Sequence, residues 1–201
     1  MQLFYTAGAC SLAPHIVLQE INQDFNLVKV SFKNHQTEQG QDFLKINPKG
    51  QVPFLISDDD LHLSEGAIIS QYLVETAKRS DLLPTFGDLK RYKVLEWMNY
   101  ISSELHKSYA PFFQKGFDDT SKNIFKEKLL KQYTWVDEQI YDSENLLGQG
   151  FTIAEIYLFV VTRWATLINL DLSHLKSLQA FMEQMQQHPS VQKAMQAEGL
   201  L

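Results

Sequence analysis

The sequence has only one cysteine, Cys10, among its 201 residues. One thiol excludes an internal disulfide framework and a cysteine-rich zinc site, so we expect neither cross-links nor a bound metal. Intrinsic disorder is excluded as well, because 13 Phe, 8 Tyr and 3 Trp supply a large apolar area for burial. The length suits one large or two small globular domains.

Positive charge and long apolar runs are also scarce. The chain carries 18 Lys and Arg against 24 Asp and Glu, with no basic patch, so we expect no nucleic-acid partner. The most apolar segment, 151–170, is interrupted by Glu155 and Arg163, which predicts a buried helix and no membrane partner. The first ten residues do not read as a secretory signal. We therefore expect a cytoplasmic protein.

The first eighty residues alternate strand and helix patterns. A short apolar run predicts a strand over 2–6, helical spacing follows over 12–21, and 25–30 predicts a second strand. Further along, the pattern predicts a short helix at 42–46, a hairpin of 52–57 with 61–64, and a helix over 65–78 with Ser64 as its N-cap. The element order is βαβ(α)ββα, an α/β domain over 1–80.

Beyond a predicted linker at 81–88, each segment has a helical period. The predicted helices cover 89–113, 120–142, 152–169, 173–188 and a short tail after Pro189, giving an all-α domain over 89–201. Thr152 and Glu155 form a capping box at the start of the third of these helices, with Phe151 and Ile156 as its hydrophobic staple.

Cys10 lies where the chain turns from the first strand into the first helix, with Ser11 as the expected N-cap. Unpaired N–H groups and the positive end of the helix dipole stabilise a thiolate at such a position, which predicts a reactive thiol. The alternative is a free cysteine packed as a small apolar residue. Because the chain has no second cysteine, any redox chemistry needs a sulfur from an external thiol.

Two further features point to chemistry. A cis bond between Val52 and Pro53 would turn the Val52 backbone towards a peptide-like ligand, whereas a trans bond would merely begin an edge strand. Within 89–113, helical spacing places an apolar stripe beside a polar stripe. The apolar stripe comprises Val94, Met98, Ile101 and Leu105, and the polar stripe comprises Asn99, Ser103 and His106.

The element order, the cysteine after strand one and the segment 51–53 (QVP) together resemble the thioredoxin-like domain of glutathione transferases. The helical domain extends the resemblance over essentially the whole chain. The segments 3–12 (LFYTAGACSL), 47–53 (NPKGQVP) and 104–107 (ELHK) look like the bacterial beta class, in which a cysteine faces the glutathione sulfur. The resemblance implies a homodimeric detoxification enzyme that conjugates glutathione, its co-substrate, to small electrophilic apolar substrates without a resident cofactor.

The resemblance also implies individual roles. Cys10 and His106 are the implied catalytic residues. The implied glutathione contacts are His35, Val52, Glu65, Gly66, Asn99, Ser103 and Lys107. Glu65 can pair with the γ-glutamyl ammonium, while the start of its helix receives the carboxylate. At the glycine end, His35 occupies the position of a family lysine, and Lys33 is the alternative contact.

Several alternatives stay open. Cys10 would instead support glutathione-dependent disulfide exchange through a mixed disulfide, or the chain would bind ligands without catalysis.

Tyr5 lies in a buried strand and is expected to be structural. Arg163 and Trp164 line either the acceptor pocket or a dimer contact. The aromatic residues proposed for a dimer interface, with core packing as the alternative, are Tyr92, Trp97 and Tyr100.

Overall fold

The computed structural model describes residues 1–141 and 150–201. The chain forms two compact units, one of Met1–Leu83 with His188–Leu201 and the other of Pro84–Gln187. The C-terminal residues therefore pack with the α/β part of the chain. The α/β domain over 1–80, the linker over 81–88 and the all-α domain over 89–201 remain predictions.

The first unit contains a five-stranded mixed sheet. Its strands are β1 (Gln2–Tyr5), β2 (Asn26–Ser31), β3 (Gln36–Thr37), β4 (Phe54–Ile56) and β5 (His62–Ser64). They lie side by side in the order β3-β2-β1-β4-β5. β1 and β2 are parallel, as the crossover through a helix requires, and the other neighbouring pairs are antiparallel.

The described helices fall into three groups along the chain. Those within the α/β segment are α1 (Leu12–Glu20), α2 (Phe43–Ile46) and α3 (Gly66–Thr76). The helical unit contains α4 (Leu89–Tyr100), a π-helix (Ile101–His106), α5 (Ala110–Phe113), α6 (Asp119–Tyr141), α7 (Ile153–Thr162), α8 (Trp164–Leu167) and α9 (Lys176–Gln187). The last helix, α10 (Pro189–Ala197), packs on α1 in the first unit.

Alternation along β1 divides the core of the first unit between two faces of the sheet. Phe4 packs with Phe43 and Phe54, with ring centroids 5.4–6.4 Å apart. Leu3 is paired with Leu55 and points to the opposite face, where both side chains are fully buried. Because successive residues of a strand point to opposite faces, this short strand contributes to both layers.

The predicted order βαβ(α)ββα is confirmed, with one strand added. The sequence missed β3 because it has only two residues, Gln36 and Thr37, and lacks apolar alternation. α1 packs against both α3 and α10, and α3 also contacts β4 and β5.

The first long helix of the helical unit is not continuous, so the prediction of one helix over 89–113 is wrong. It passes from α4 into the π-helix and then into α5. Hydrogen bonds in a π-helix join residues i and i+5 and accommodate an extra residue per turn. The predicted apolar stripe is nevertheless buried, since Val94, Met98, Ile101 and Leu105 are each at most 3% exposed.

α7 is the most buried helix described in this unit, with every residue from Ile153 to Thr162 buried. Its predicted capping box is present: Thr152 Oγ1 accepts from the Ala154 N–H at 3.2 Å, and Glu155 Oε2 accepts from the Thr152 N–H at 3.0 Å. The predicted helix over 152–169 divides into α7 and α8. The last residue of the predicted helix 120–142 lies outside the described residues.

The aromatic residues proposed for a dimer interface have different environments. Trp97 is 7% exposed and stacks on Trp135, with Tyr100 packed against both rings. Burial, followed by the Glu104 carboxylate, raises the pKa of Tyr100 to about 12. Tyr92 alone among the three is strongly exposed, at 56%. Core packing therefore accounts for Trp97.

Within the described residues, no helix combines the length and the apolar character needed to cross a membrane.

Candidate functional site

Cys10 lies half-buried in the turn between β1 and α1. The turn is closed by reciprocal hydrogen bonds: Ser11 Oγ donates to the Thr6 carbonyl and accepts from the Thr6 N–H, each at 3.2 Å. Ser11 is the N-cap residue, as predicted, but its side chain does not cap the N–H groups of α1. It stabilises the loop that carries the thiol instead.

The expectation that the first N–H groups of α1 are unpaired is wrong for two residues. The Leu12 N–H donates to the Ala9 carbonyl at 3.0 Å, and the Ala13 N–H donates to the Cys10 carbonyl at 3.2 Å. A tight turn therefore uses these two donors before the regular helix begins. They are not directed at the Cys10 sulfur.

The Cys10 thiol bonds to the backbone of the segment before β4. Cys10 Sγ donates to the Val52 carbonyl at 3.3 Å, and the peptide bond between Val52 and Pro53 is cis, as the sequence analysis considered. Because β4 begins at Phe54, the Val52 N–H lies outside the ladder with β1. The thiol and the Val52 backbone thus form one local arrangement.

The start of α3 lies beside this arrangement. A Cβ atom added to Gly66 would lie 3.4 Å from Pro53 Cγ and 4.0 Å from the Cys10 carbonyl oxygen. As Gly66 is the first residue of α3, the N–H groups of the first turn have no acceptor within the helix. Three residues proposed for one ligand, Cys10, Val52 and Gly66, are therefore neighbours.

Glu65 occupies the N-cap position of α3, so the prediction of Ser64 as N-cap is wrong. Its backbone has φ 72° and ψ 109°, outside the regions that non-glycine residues favour. Such conformations persist where surrounding structure imposes them, often at ligand sites. Lys49 Nζ donates to Ser64 Oγ at 2.9 Å and to Glu65 Oε1 at 3.4 Å, which adds positive charge beside the helix start.

The two residues considered for the glycine end of glutathione differ in burial. The ring of His35 lies against Gly50, where an added Cβ would be 3.2 Å from Nδ1, and that nitrogen is buried without a hydrogen-bond partner among the described residues. Lys33 is exposed on the preceding turn. The contact of His35 or of Lys33 with the glycine end of glutathione therefore stays a prediction.

A buried hydrogen-bond network contacts the loop that carries Cys10 and was not predicted. Glu198 Oε2 accepts from the Gly8 N–H, and Glu198 Oε1 bonds to His15 Nδ1, both at 2.9 Å. The side chains of Glu198 and His15 are fully buried. A histidine within the apolar segment 12–18 was the available signal, because a buried imidazole requires a polar partner.

Tyr5 belongs to this buried region. Its residue is 7% exposed, and its ring centroid lies 6.4 Å from that of His15. Burial, followed by the charge of Glu198, raises the pKa of Tyr5. The hydroxyl therefore stays protonated at neutral pH, which favours the structural role expected for this residue.

His106 ends the π-helix in the helical unit and is half-buried among aromatic rings. Its Nδ1 atom lies 2.7 Å from the Tyr157 hydroxyl, and its ring centroid lies 4.9 Å from that of Trp164. Trp164, which is 6% exposed, also contacts Tyr109 and Phe113. Trp164 is thus part of the wall around His106, while the Arg163 guanidinium lies 6.0 Å from the Phe159 ring centre.

The other polar residues proposed in this unit are exposed: Asn99, Ser103 and Lys107. Asn99 belongs to α4, whereas Ser103 and His106 belong to the π-helix. The predicted polar stripe therefore crosses the boundary between the α-helix and the π-helix. Their roles towards glutathione remain predictions.

The mixed sheet with a cysteine after β1 defines a thioredoxin-like protein, and the helical unit completes the predicted architecture. The family described as "Glutathione S-transferase, N-terminal domain" matches residues 1–75, and "Glutathione S-transferase, C-terminal domain" matches residues 103–198. The predicted fold class, a thioredoxin-like domain followed by helices, is confirmed.

Comparison with known proteins identifies the family. The chain is 44% identical over 200 residues to Glutathione S-transferase GstA of Escherichia coli O157:H7, covering all of both chains. It also matches the bacterial beta class glutathione S-transferase of Sphingomonas chungbukensis, at 37% identity and TM-score 0.96. A sphingomonad glutathione S-transferase complexed with glutathione matches at 36% identity and TM-score 0.96. Both structural matches cover 100% of each chain. The chain therefore belongs to the beta class of the glutathione S-transferase family, whose members are transferase enzymes.

Proposed function

We propose that this chain transfers the glutathione sulfur to small electrophilic apolar substrates, with Cys10 beside that sulfur. Family membership supports glutathione conjugation in general. The relative solved with glutathione supports glutathione as the co-substrate. The proposal includes no permanently bound cofactor.

The first unit supplies complementary groups for the ends and the middle of glutathione. The first-turn N–H groups of α3, beginning at Gly66, suit the γ-glutamyl carboxylate, and the carboxylate of Glu65 suits the ammonium group. The N–H of Val52, outside the sheet ladder, suits the cysteinyl peptide group in the manner of an added strand. We propose His35 for the glycine carboxylate.

The observation that carries the proposal is the hydrogen bond from Cys10 Sγ to the Val52 carbonyl. A carbonyl oxygen stabilises a thiol that donates to it and repels a thiolate. The Cys10 proton is directed at the Val52 carbonyl, and we assign the nucleophilic role to the glutathione sulfur. With an aryl halide, the glutathione thiol releases its proton to solvent, a carbon–sulfur bond forms, and the carbon–halogen bond breaks as halide leaves.

In the helical unit, His106 is proposed to donate a hydrogen bond to the glutathione thiolate, since a neutral imidazole carries one ring N–H donor. Asn99, Ser103 and Lys107 are proposed as further polar contacts of glutathione. Membership of the family also supports the proposal that the chain is a cytoplasmic homodimer. Sedimentation of the purified chain tests the dimer.

Replacing Cys10 tests the division of roles between the two sulfurs. In Cys10→Ala we expect conjugation of glutathione to an aryl halide to continue, with kcat lowered no more than about tenfold by the loss of one donor. Cys10→Ser is the matched control, because it keeps a donor in place of the thiol. Complete loss of conjugation in Cys10→Ala, with glutathione binding intact, would contradict this division of roles.

Two other results would replace the proposal. Glutathione-dependent disulfide exchange is established if the wild type reduces a disulfide substrate, forms a Cys10 mixed disulfide detected by mass spectrometry, and does not conjugate aryl halides. A non-catalytic binding role is indicated if calorimetry detects no binding of glutathione.

A further inference from the structure

Tyr157, to which the proposed function gives no role, forms a hydrogen bond with His106 through its hydroxyl. The Tyr157 oxygen lies 2.7 Å from His106 Nδ1, and Tyr157 is only 3% exposed. The two rings are nearly perpendicular, at 87°, with centroids 6.0 Å apart. Contact between them is therefore through the hydroxyl and not through stacked faces.

The chemistry of the two groups indicates the direction of this bond. A phenolic hydroxyl, with a pKa of about 10, is a more acidic donor than the ring N–H of a neutral imidazole. The imidazole nitrogen is in turn a stronger acceptor than the phenolic oxygen. This difference favours donation from the Tyr157 hydroxyl to His106 Nδ1, which leaves Nε2 as the nitrogen that carries the imidazole proton.

We propose that Tyr157 is a positioning residue that holds His106 in the Nε2–H tautomer, so that the imidazole presents a donor and not a base at Nε2. This inference rests on the proposed role of His106 as a donor to the glutathione thiolate. The hydrogen bond made by one ring nitrogen of a histidine sets which proton the other nitrogen carries.

Both partners are held by well-packed backbone. Tyr157 lies in α7, which is buried along its whole length and is fixed at its start by the Thr152 and Glu155 capping box. His106 is the last residue of the π-helix, which packs against α7. π-Helical turns frequently occur at functional positions. Here the turn ends on the imidazole that Tyr157 orients, and the Trp164 ring packs against the same imidazole.

Nitrogen NMR of the histidine rings tests the proposal without any substitution. In the wild-type chain labelled with nitrogen-15, we expect His106 Nδ1 to have the chemical shift of an unprotonated ring nitrogen and Nε2 that of a protonated one. Loss of the signals in His106→Gln assigns them. A protonated Nδ1 in neutral His106 would overturn the proposal.

Tyr157→Phe removes only the hydroxyl and provides the second test. We expect the tautomer preference of His106 to weaken and kcat for aryl-halide conjugation to fall about three- to tenfold, with KM for glutathione little changed. Tyr133→Phe is the matched control, because Tyr133 is a fully buried tyrosine whose hydroxyl bonds to Tyr109 at 3.0 Å. We expect the wild-type tautomer and wild-type kcat in that control.

The outcomes separate this proposal from the proposed function. The positioning role is overturned if Tyr157→Phe keeps the wild-type tautomer of His106 or the wild-type kcat while His106→Gln has impaired turnover. The proposed role of His106 then stands. If His106→Gln has wild-type turnover, the proposed role of His106 is overturned. The positioning role of Tyr157 is then overturned as well, because it acts through His106.

Discussion

Glu198 shows how one buried carboxylate supports the residues around Cys10. It accepts from the backbone of Gly8, two residues before Cys10, and pairs with His15 on α1. A buried carboxylate is costly unless it is paired and hydrogen-bonded, and here both oxygens have partners. Glu198 thereby joins the C-terminal part of the first unit to the loop that carries the thiol.

We predict that Glu198→Gln lowers the free energy of unfolding by about 2 kcal/mol, because the amide NH2 group would face His15 Nδ1 and force the His15 proton onto Nε2, a buried nitrogen with no hydrogen-bond partner among the described residues. Urea denaturation measures the change. Glu96→Gln is the control: Glu96 is an exposed partner of Lys93, and such surface pairs contribute little. If Glu198→Gln and Glu96→Gln have the same free energy of unfolding, the buried contacts of Glu198 do not stabilise the fold.

Single residues also show where sequence reasoning reaches its limit. Cys10 was identified because its position between a strand and a helix is readable from the pattern of the chain. Tyr157 was missed because it lies in a continuous apolar run, where a tyrosine is indistinguishable from other core residues. Its partner, His106, is 51 positions away, and only the fold brings the two together.

α7 depends on the capping box at its start. Thr152 and Glu155 are buried, so water cannot replace the hydrogen bonds that they make to the first turn. The N-terminal N–H groups of a helix require such acceptors. The cap therefore matters more for this buried helix than for a surface helix.

Replacing the cap residue gives a prediction at this scale. Thr152→Ala should lower the free energy of unfolding by about 1–2 kcal/mol, the usual cost of an N-cap oxygen. Thr152→Ser keeps the hydroxyl and should retain most of the stability. Thermal unfolding followed by circular dichroism compares the two variants. If they unfold at the same temperature, the hydroxyl does not stabilise α7.

The elements could be predicted wherever periodicity is strong. β1 follows from a short apolar run, and α1 and the buried stripe at 94, 98, 101 and 105 follow from helical spacing of apolar residues. The π-helix could not be predicted, because the apolar residues at 94, 98, 101 and 105 have the spacing of a continuous α-helix.

At the scale of the whole molecule, the compact units do not follow chain order. α10 comes after the helical unit in sequence but packs on α1. It buries Val191, Ala194 and Met195, and Glu198 follows directly after it. Local patterns predict α10 as a helix and carry no information on which part of the chain it covers.

A truncation tests this organisation. A chain ending at Gln187 lacks α10 and Glu198, and we predict that it loses cooperative unfolding of the first unit because the covered side of α1 becomes exposed. A chain lacking only Leu201, which is 66% exposed, is the control and should unfold as the full chain does. If the chain ending at Gln187 unfolds in urea as cooperatively as the full chain does, the assignment of α10 to the first unit is contradicted.

The central claim is that Cys10, Val52 and the start of α3 form the glutathione site. A crystal structure of this chain with glutathione tests it most directly, through the distance between Cys10 Sγ and the glutathione sulfur. We predict that the two sulfur atoms are in contact, with the cysteinyl backbone paired to Val52 and the γ-glutamyl carboxylate at the first turn of α3. Glutathione bound with its sulfur away from Cys10 would contradict the account.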